Sequence, residues 1–283
     1  MAPYVMNNNL KFDNQIIDLI DLDSDKWSQY HQQFSGFMSL IYGRESKKLF
    51  KFEKQIAKNF DSCLFVSNVE LNLFNEKTKY IYKDNVFSIQ NGIDSEYFSP
   101  TQISDNNLQN RKYLVFTGTM NAVSNVESIL WFINTIWHKL RDIYPFLELL
   151  IVGNKPVDRV LCWDKICGVT VTGSVPDVRP YLKYSISAVA PMLLARGVQN
   201  KVLEAMAMEK SLVLTHKAAE GVHLPDQQRY FVTDDGSEMV GFLSFLINHP
   251  DEALEIGKSN RQVVLNKYSW SRSLKPLNKL VPS

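Results

Sequence analysis

The sequence predicts an α/β protein of two Rossmann-like, doubly wound domains, the N-terminal one incomplete. Three observations carry this reading. Short apolar runs of strand length alternate with longer amphipathic stretches, the pattern of βαβ units and a parallel sheet. Several of those runs end in glycine, at Gly118, Gly153 and Gly173, the punctuation of a strand passing into a loop. The chain has 283 residues, room for two domains but not for two full Rossmann-like units of about 150–200 residues each.

The first strand is predicted over residues 15–21. Asp23 and Ser24 can cap the helical region that follows, roughly residues 25–59. This region reads as two helices broken near Gly43, the second over residues 45–60. Lys47, Lys48, Lys51, Lys54 and Lys58 give the second helix a basic face, either solvated or laid on an anionic membrane surface. Residues 62–66 form the second strand, and Ser67 can cap a helix over residues 69–75. The third strand, residues 86–89, ends at the Asn91-Gly92 turn. The polar, apolar-poor stretch from Ser99-Pro100 to Gln109-Asn110 reads as the linker.

A fresh strand over residues 113–117 opens the second domain. Ser124 is a good N-cap for a helix over residues 126–143. Strands follow at residues 147–152 and 169–172, a short helix at 177–184 and a strand at 186–190. A helix at about residues 198–208 leads to a strand at 211–215, and a last short strand is predicted at 230–232. Helices over residues 237–248 and 250–268 complete the domain, and residues 270–281 read as a final helix. The predicted division is therefore residues 1–99, 100–268 and 269–283.

Composition excludes several classes. Hydrophobic residues make up 45% and charged residues 22%, as in ordinary globular domains. A net charge of +1 argues against a broad basic surface for nucleic acid. No apolar run approaches the ~20 residues of a membrane-spanning helix. The start, MAPYVMNNNLKF, lacks the basic and apolar regions of a signal peptide. Cys63, Cys162 and Cys167 form no CxxC and have no nearby histidines to complete a zinc site. They predict packed, reduced thiols in a cytoplasmic protein.

Chemistry concentrates on the helix predicted at residues 198–208. Asn200, Lys201 and Glu204 share one face near its N-terminus, where backbone N–H groups and a partial positive charge point outward. Lys201 adds a full charge for a phosphate, and Glu204 an acceptor for paired sugar hydroxyls. Phosphate and ribose together read as a nucleotide; the same pair also fits a solvent-facing i,i+3 Lys–Glu contact. Ligands of open α/β sheets bind beyond the carboxyl ends of the strands. Those ends are Gly118, Gly153, Gly173-Ser174, Pro191 and the loop to Gly197. Gly118 either lets a diphosphate approach the backbone or simply makes a tight turn. Thr117 and Thr119 offer hydroxyls, and Asn125 stands near the start of the next helix. The five histidines are scattered and read as structural or exposed. No strand is followed by G-x-G-x-x-G, which disfavours a dinucleotide enzyme.

The segment ARGVQNKVLEAMAM at residues 195–208 resembles the nucleotide-sugar signature of retaining glycosyltransferases of family 4. In particular it resembles the sugar transferases associated with exosortase/PEP-CTERM exopolysaccharide systems. DLDSDKW (21–27), NGIDSEYFSP (91–100), FTGTM (116–120), SNVESILWF (124–132) and VPDVRPYL (175–182) carry the resemblance over nearly the whole chain. It implies the GT-B fold, two Rossmann-like domains with a cleft between them, and a chain that starts inside the N-terminal domain. The last helix would cross back to that domain.

The activity implied is transfer of a sugar from a UDP- or GDP-linked donor to a polysaccharide or lipid-linked acceptor, with retained anomeric configuration and no metal. Lys201 and Arg196 are the catalytic candidates. Donor-binding candidates are Gly118, Thr119, Asn125, Gly173, Ser174, Val175, Gly197, Val198, Asn200, Lys201, Val202 and Glu204. Residues 172–175 would read the base through the backbone. Glu204 matches the second Glu of the family's paired-Glu motif, and Arg196 stands where the first would be. The loop GTMNAVSN lacks the Arg and Lys that many relatives place there. The partners implied are donor and acceptor, a peripheral contact at the inner face of the membrane and a separately encoded N-terminal segment, without nucleic acid. The alternative is an inactive or split fragment that binds nucleotide or a partner chain without turnover.

Overall fold

The computed structural model describes residues 2–6, 12–103, 107–195 and 197–281. The chain divides into two compact units. One comprises the chain up to Gly92, Gly197 with Val198, and the stretch from Trp270; the other runs from Ile93 to Ser269 around that insertion.

The first unit carries a parallel sheet in the order β1-β2-β3, with β1 at Ile16–Ile20, β2 at Ser62–Phe65 and β3 at Val86–Ser88. The middle strand is buried along its length, as a parallel strand covered on both faces must be. Parallel neighbours need crossovers. Helices Asp23–Gln33 and Phe37–Asn59 join β1 to β2, and Asn68–Lys77 joins β2 to β3. Their inner faces close a core of Leu22, Ile56, Phe60, Cys63, Phe65 and Phe74. Each fully buried side chain of this size stabilises by roughly 1.5–3 kcal/mol. Ser67 caps the third helix as expected, its hydroxyl accepting from the Glu70 N–H at 3.2 Å.

Three expectations for this unit are corrected. The helical region breaks before Phe37, where Gly36 takes a φ of +75°, and not at Gly43. Gly43 stays helical and brings its helix against the neighbouring one: a Cβ there would lie 3.1 Å from His31 Nδ1. Asp23 and Ser24 do not cap; Leu22 holds that position. Ser24 instead gives its N–H and hydroxyl to the buried Glu53 carboxylate, at 3.0 and 2.6 Å. The stretch after Trp270 is a short helix, Trp270–Ser273, followed by a 3₁₀ turn, Lys275–Lys279. Pro276 lacks the N–H a continuous helix would use.

The second unit carries a five-stranded parallel sheet in the order β6-β5-β4-β7-β8. The strands are β4 (Tyr113–Thr117), β5 (Glu148–Val152), β6 (Val169–Gly173), β7 (Ser187–Ala190) and β8 (Leu212–Leu214). The central strand β4 is buried throughout. Strand order reverses between β4 and β7, so the crossovers diverge there and leave a crevice beyond the carboxyl ends. The helix after β4 begins at Val123, with Ala122 at the N-cap and no side-chain cap, so Ser124 does not cap it. It contains a π turn, Ile133–Trp137, where the buried Trp137 indole donates to the Cys167 carbonyl at 3.2 Å. The strand expected at residues 230–232 reduces to one bridge between Val232 and Leu214, because the helix Asp226–Arg229 takes up the preceding chain. Helices Gly236–Asn248 and Pro250–Lys267 close the unit. Among the described residues no helix is long and apolar enough to cross a membrane.

Candidate functional site

The strand reversal puts three strand ends of the second unit beside the start of the helix Asn200–Ala207. A pocket of about 240 Å³ opens among them. Thr117, Gly118 and Thr119 line it from the end of β4, and Val152, Gly153 and Asn154 from the end of β5. Ser174, Val175 and Val178 follow β6, and Glu204 comes from the helix. The volume lies below the about 300–1,000 Å³ typical of whole-ligand pockets, so it suits part of a ligand whose remainder lies outside.

Two glycines make the floor. A Cβ at residue 153 would fall 1.6 Å from the Gly118 carbonyl oxygen. A Cβ at residue 118 would fall 2.8 Å from Asn125 Nδ2 and 3.2 Å from Lys201 Nζ. The backbone is therefore bare where the Lys201 ammonium approaches it.

Lys201 is held by neutral groups. Its Nζ donates to the Asn125 side-chain carbonyl, lies 3.6 Å from Met192 Sδ and sits 4.2 Å from the centre of the Phe116 ring. Asn125 is itself oriented, its Nδ2 donating to the Thr119 carbonyl at 2.9 Å. Among the described residues no carboxylate comes within ion-pair distance of Lys201. Burial pushes its ammonium down to about 7, and Glu204 opposes the shift. Burial likewise raises the Glu204 carboxyl above the ordinary range, with Lys201 working the other way. The Glu204 side chain has no hydrogen-bond partner among the described residues, so its oxygens are available as acceptors in the pocket. A desolvated ammonium with no ion-pair partner among the described residues stands one helical turn from the Glu204 carboxylate. Such a pair can bind an anion and a hydroxyl pair together.

The predicted residues divide into groups. Gly118, Thr119, Ser174, Val175 and Glu204 line the pocket, and Lys201 and Asn125 adjoin its glycine floor. Gly173 ends β6 just before Ser174, with a φ of +67°. Asn200 opens the helix, whereas Val202 is fully buried and its side chain is part of the core. Gly197 and Val198 belong to the first unit, where a Cβ at residue 197 would fall 2.1 Å from Asp21 Oδ1. Arg196 lies outside the described residues, as do linker positions 104–106. Sequence reasoning missed Asn154 and Val178 on the pocket wall, and Phe116 and Met192 around the ammonium. Asn154 directly follows Gly153, so the strand-end argument extended by one residue reaches it. Phe116 and Met192 carry no signal, because an aromatic in a strand and a Met in a loop read as core. His216 is exposed and pairs with Asp234 at 3.1 Å. Among the described residues no three His, Cys, Asp or Glu side chains gather as metal ligands.

Residues 111–248 match the family model of glycosyl transferases group 1. The second unit's site lies almost wholly inside that stretch. No curated protein matches the chain as a relative. In structure the chain is similar to a glycosyltransferase from Rickettsia africae, at a TM-score of 0.65 and 15% identity over 82% of this chain and 66% of that one. It is similar to TarM of S. aureus, solved with UDP, α-GlcNAc-glycerol and fondaparinux, at a TM-score of 0.73 and 15% identity over 100% of this chain and 53% of that one. HepE of Anabaena, solved with UDP and glucose, gives a TM-score of 0.69 and 12% identity over 93% and 70%. These likenesses identify the fold as GT-B. The chain spans 66% of the length of the Rickettsia protein and 53% of TarM.

Proposed function

We propose that the chain is a glycosyltransferase that takes a sugar from a nucleoside diphosphate donor and passes it, with retained anomeric configuration, to a glycan or lipid-linked acceptor. One observation carries this reading: Glu204 lines the strand-end pocket and Lys201 adjoins its Gly118 floor, the ammonium with no carboxylate at ion-pair distance and the carboxylate with no hydrogen-bond donor among the described residues. The matched family and the GT-B neighbours support glycosyl transfer. UDP in the HepE and TarM structures makes a uridine donor the first to test.

Each residue then has a task. Gly118 and Gly153 keep the floor bare so that the diphosphate reaches backbone N–H groups. Lys201 meets the charge that grows on the diphosphate as the glycosidic bond breaks, and Asn125 holds it in place. Preorganised charge of this kind needs no rearrangement at the moment of reaction. Glu204 accepts from the ribose hydroxyls, and the backbone of Ser174 and Val175 faces the base. In this scheme Lys201 and the helix N-terminus do the work that a metal does elsewhere.

The reading is tested by incubating the chain with UDP- and GDP-sugars and lipid-extracted glycans, following nucleoside diphosphate release and product anomer. Release dependent on Lys201, with the donor's anomeric configuration kept, supports it. A second reading, nucleotide binding without turnover, is favoured by Arg196 at the place of the resembled motif's first Glu. It predicts tight nucleotide binding and no release.

A further inference from the structure

The strands of the second unit are all parallel, so their N-terminal ends also gather, at the edge of the sheet away from the donor pocket. A cavity of about 410 Å³ opens there, within the size range of small-ligand sites. Lys112, Ser185 with Ile186, and Ser211 line it, being the residues that lead into β4, β7 and β8. Phe146, Leu246 and Leu254 form an apolar wall.

The turn that feeds β8 is tightly fixed. Glu209 takes a φ of +57°, and helix Pro250–Lys267 presses on it: a Cβ at Gly257 would fall 2.0 Å from the Glu209 carbonyl oxygen. Asn260 Nδ2 donates to the Lys210 carbonyl at 2.8 Å. The fixed backbone sends the Lys210 side chain into the cavity wall, where its Nζ donates to the Ser185 carbonyl at 3.1 Å.

Among the described residues no carboxylate stands within ion-pair distance of Lys210. The nearby Glu209 faces Arg261, at 3.7 Å. Burial pushes the Lys210 ammonium down to about 8, with Glu209 opposing and the Lys183 charge adding to the shift. Beside it Ser211 is 1% exposed, and its hydroxyl has no hydrogen-bond partner among the described residues. Buried polar groups are normally satisfied; the Lys210 ammonium keeps donors beyond the one given to Ser185, and with the unpaired Ser211 hydroxyl beside it this cavity wall marks a place for an acceptor. Across from them Phe146 is 57% exposed and Leu254 47% exposed, apolar surface that gains by being covered. Lys112 stands exposed and Asp251 on the rim faces solvent.

We propose that this cavity binds an amphipathic organic anion, a carboxylate or phosphate monoester with a hydrocarbon body, its head on Lys210 and Ser211 and its body against Phe146, Leu246 and Leu254. This site shares no lining residue with the donor pocket, so it stands or falls apart from the proposed activity.

Calorimetry on the full chain with octanoate, octyl phosphate, 1-octanol and inorganic phosphate tests it. One of the two octyl anions is expected to bind at least about tenfold more tightly than 1-octanol or inorganic phosphate, and which one identifies the head group. Lys210→Met should weaken that binding about tenfold or more. Leu254→Asp, at an exposed position that leaves folding intact, should do the same. No binding of either octyl anion by the folded protein would overturn the proposal. So would equal binding of inorganic phosphate, or unchanged octyl-anion binding in both variants.

Discussion

Gly153 sits directly under the Gly118 carbonyl, and the two residues form a backbone contact that leaves no room for a side chain on residue 153. It joins the ends of β4 and β5 where the pocket floor has to be bare. Gly153→Ala is expected to push the Gly118 turn outward, lowering stability by about 1–3 kcal/mol as an overpacked site does. UDP affinity should fall with it. Thermal unfolding and calorimetry check both, and a variant with unchanged affinity would remove the floor from the account.

Lys201 is expected to be the residue on which diphosphate affinity depends most. Charge-assisted hydrogen bonds contribute about 1.5–3 kcal/mol, so Lys201→Met should weaken UDP binding by roughly 10–150-fold. The same change removes a desolvated charge and replaces it with apolar volume beside Phe116 and Met192. The melting temperature should therefore stay level or rise. A large loss of both stability and binding would mean that Lys201 is structural.

Most of this architecture was legible in the sequence, for physical reasons. Runs such as YLVFT and LELLIV are apolar on both faces, which only a buried parallel strand of that length requires. That Lys201 and Glu204 fall one turn apart on a helix at the strand ends was legible from their spacing. The helix break at Gly36 was not, since two glycines were available and the choice depended on which one the His31 ring would cover. The capping of Asp23 and Ser24 failed for a similar reason: a distant carboxylate, Glu53, claimed the Ser24 hydroxyl. The cradle of Lys201 combines an aromatic from a strand, a thioether from a loop and an amide from a helix, a tertiary arrangement that no local pattern encodes.

Binding should take up a proton above neutrality. With its ammonium down to about 7, Lys201 is mostly neutral at pH 8 in the free protein, and a bound diphosphate favours the charged form. Affinity for UDP should accordingly fall as pH rises from 7 to 9. The binding enthalpy at pH 8 should differ between Tris and HEPES by the proton's ionisation heat. Lys201→Met should show neither effect.

Stability should carry the same signature with its own sign. The Lys201 and Lys210 ammoniums lie at about 7 and about 8 in the folded chain, below the ordinary 10.5. Between those values the unfolded chain binds more protons, so these lysines make stability rise with pH from about 7 upward. Below about 7 both states are protonated and the full penalty of the buried charges applies. Urea midpoints at pH 7 and pH 9 should rise more in the wild type than in Lys201→Met; equal slopes would contradict the burial of this ammonium.

The most direct test of the proposed donor site is calorimetry of UDP, GDP and ADP on the wild type and on Glu204→Ala. The account predicts that one nucleotide binds the wild type and that its affinity drops at least about tenfold in the variant, as loss of charge-assisted bonds to ribose hydroxyls requires. A folded wild type that binds none of the three, or a variant that binds as tightly as the wild type, would contradict a donor site built on Lys201 and Glu204.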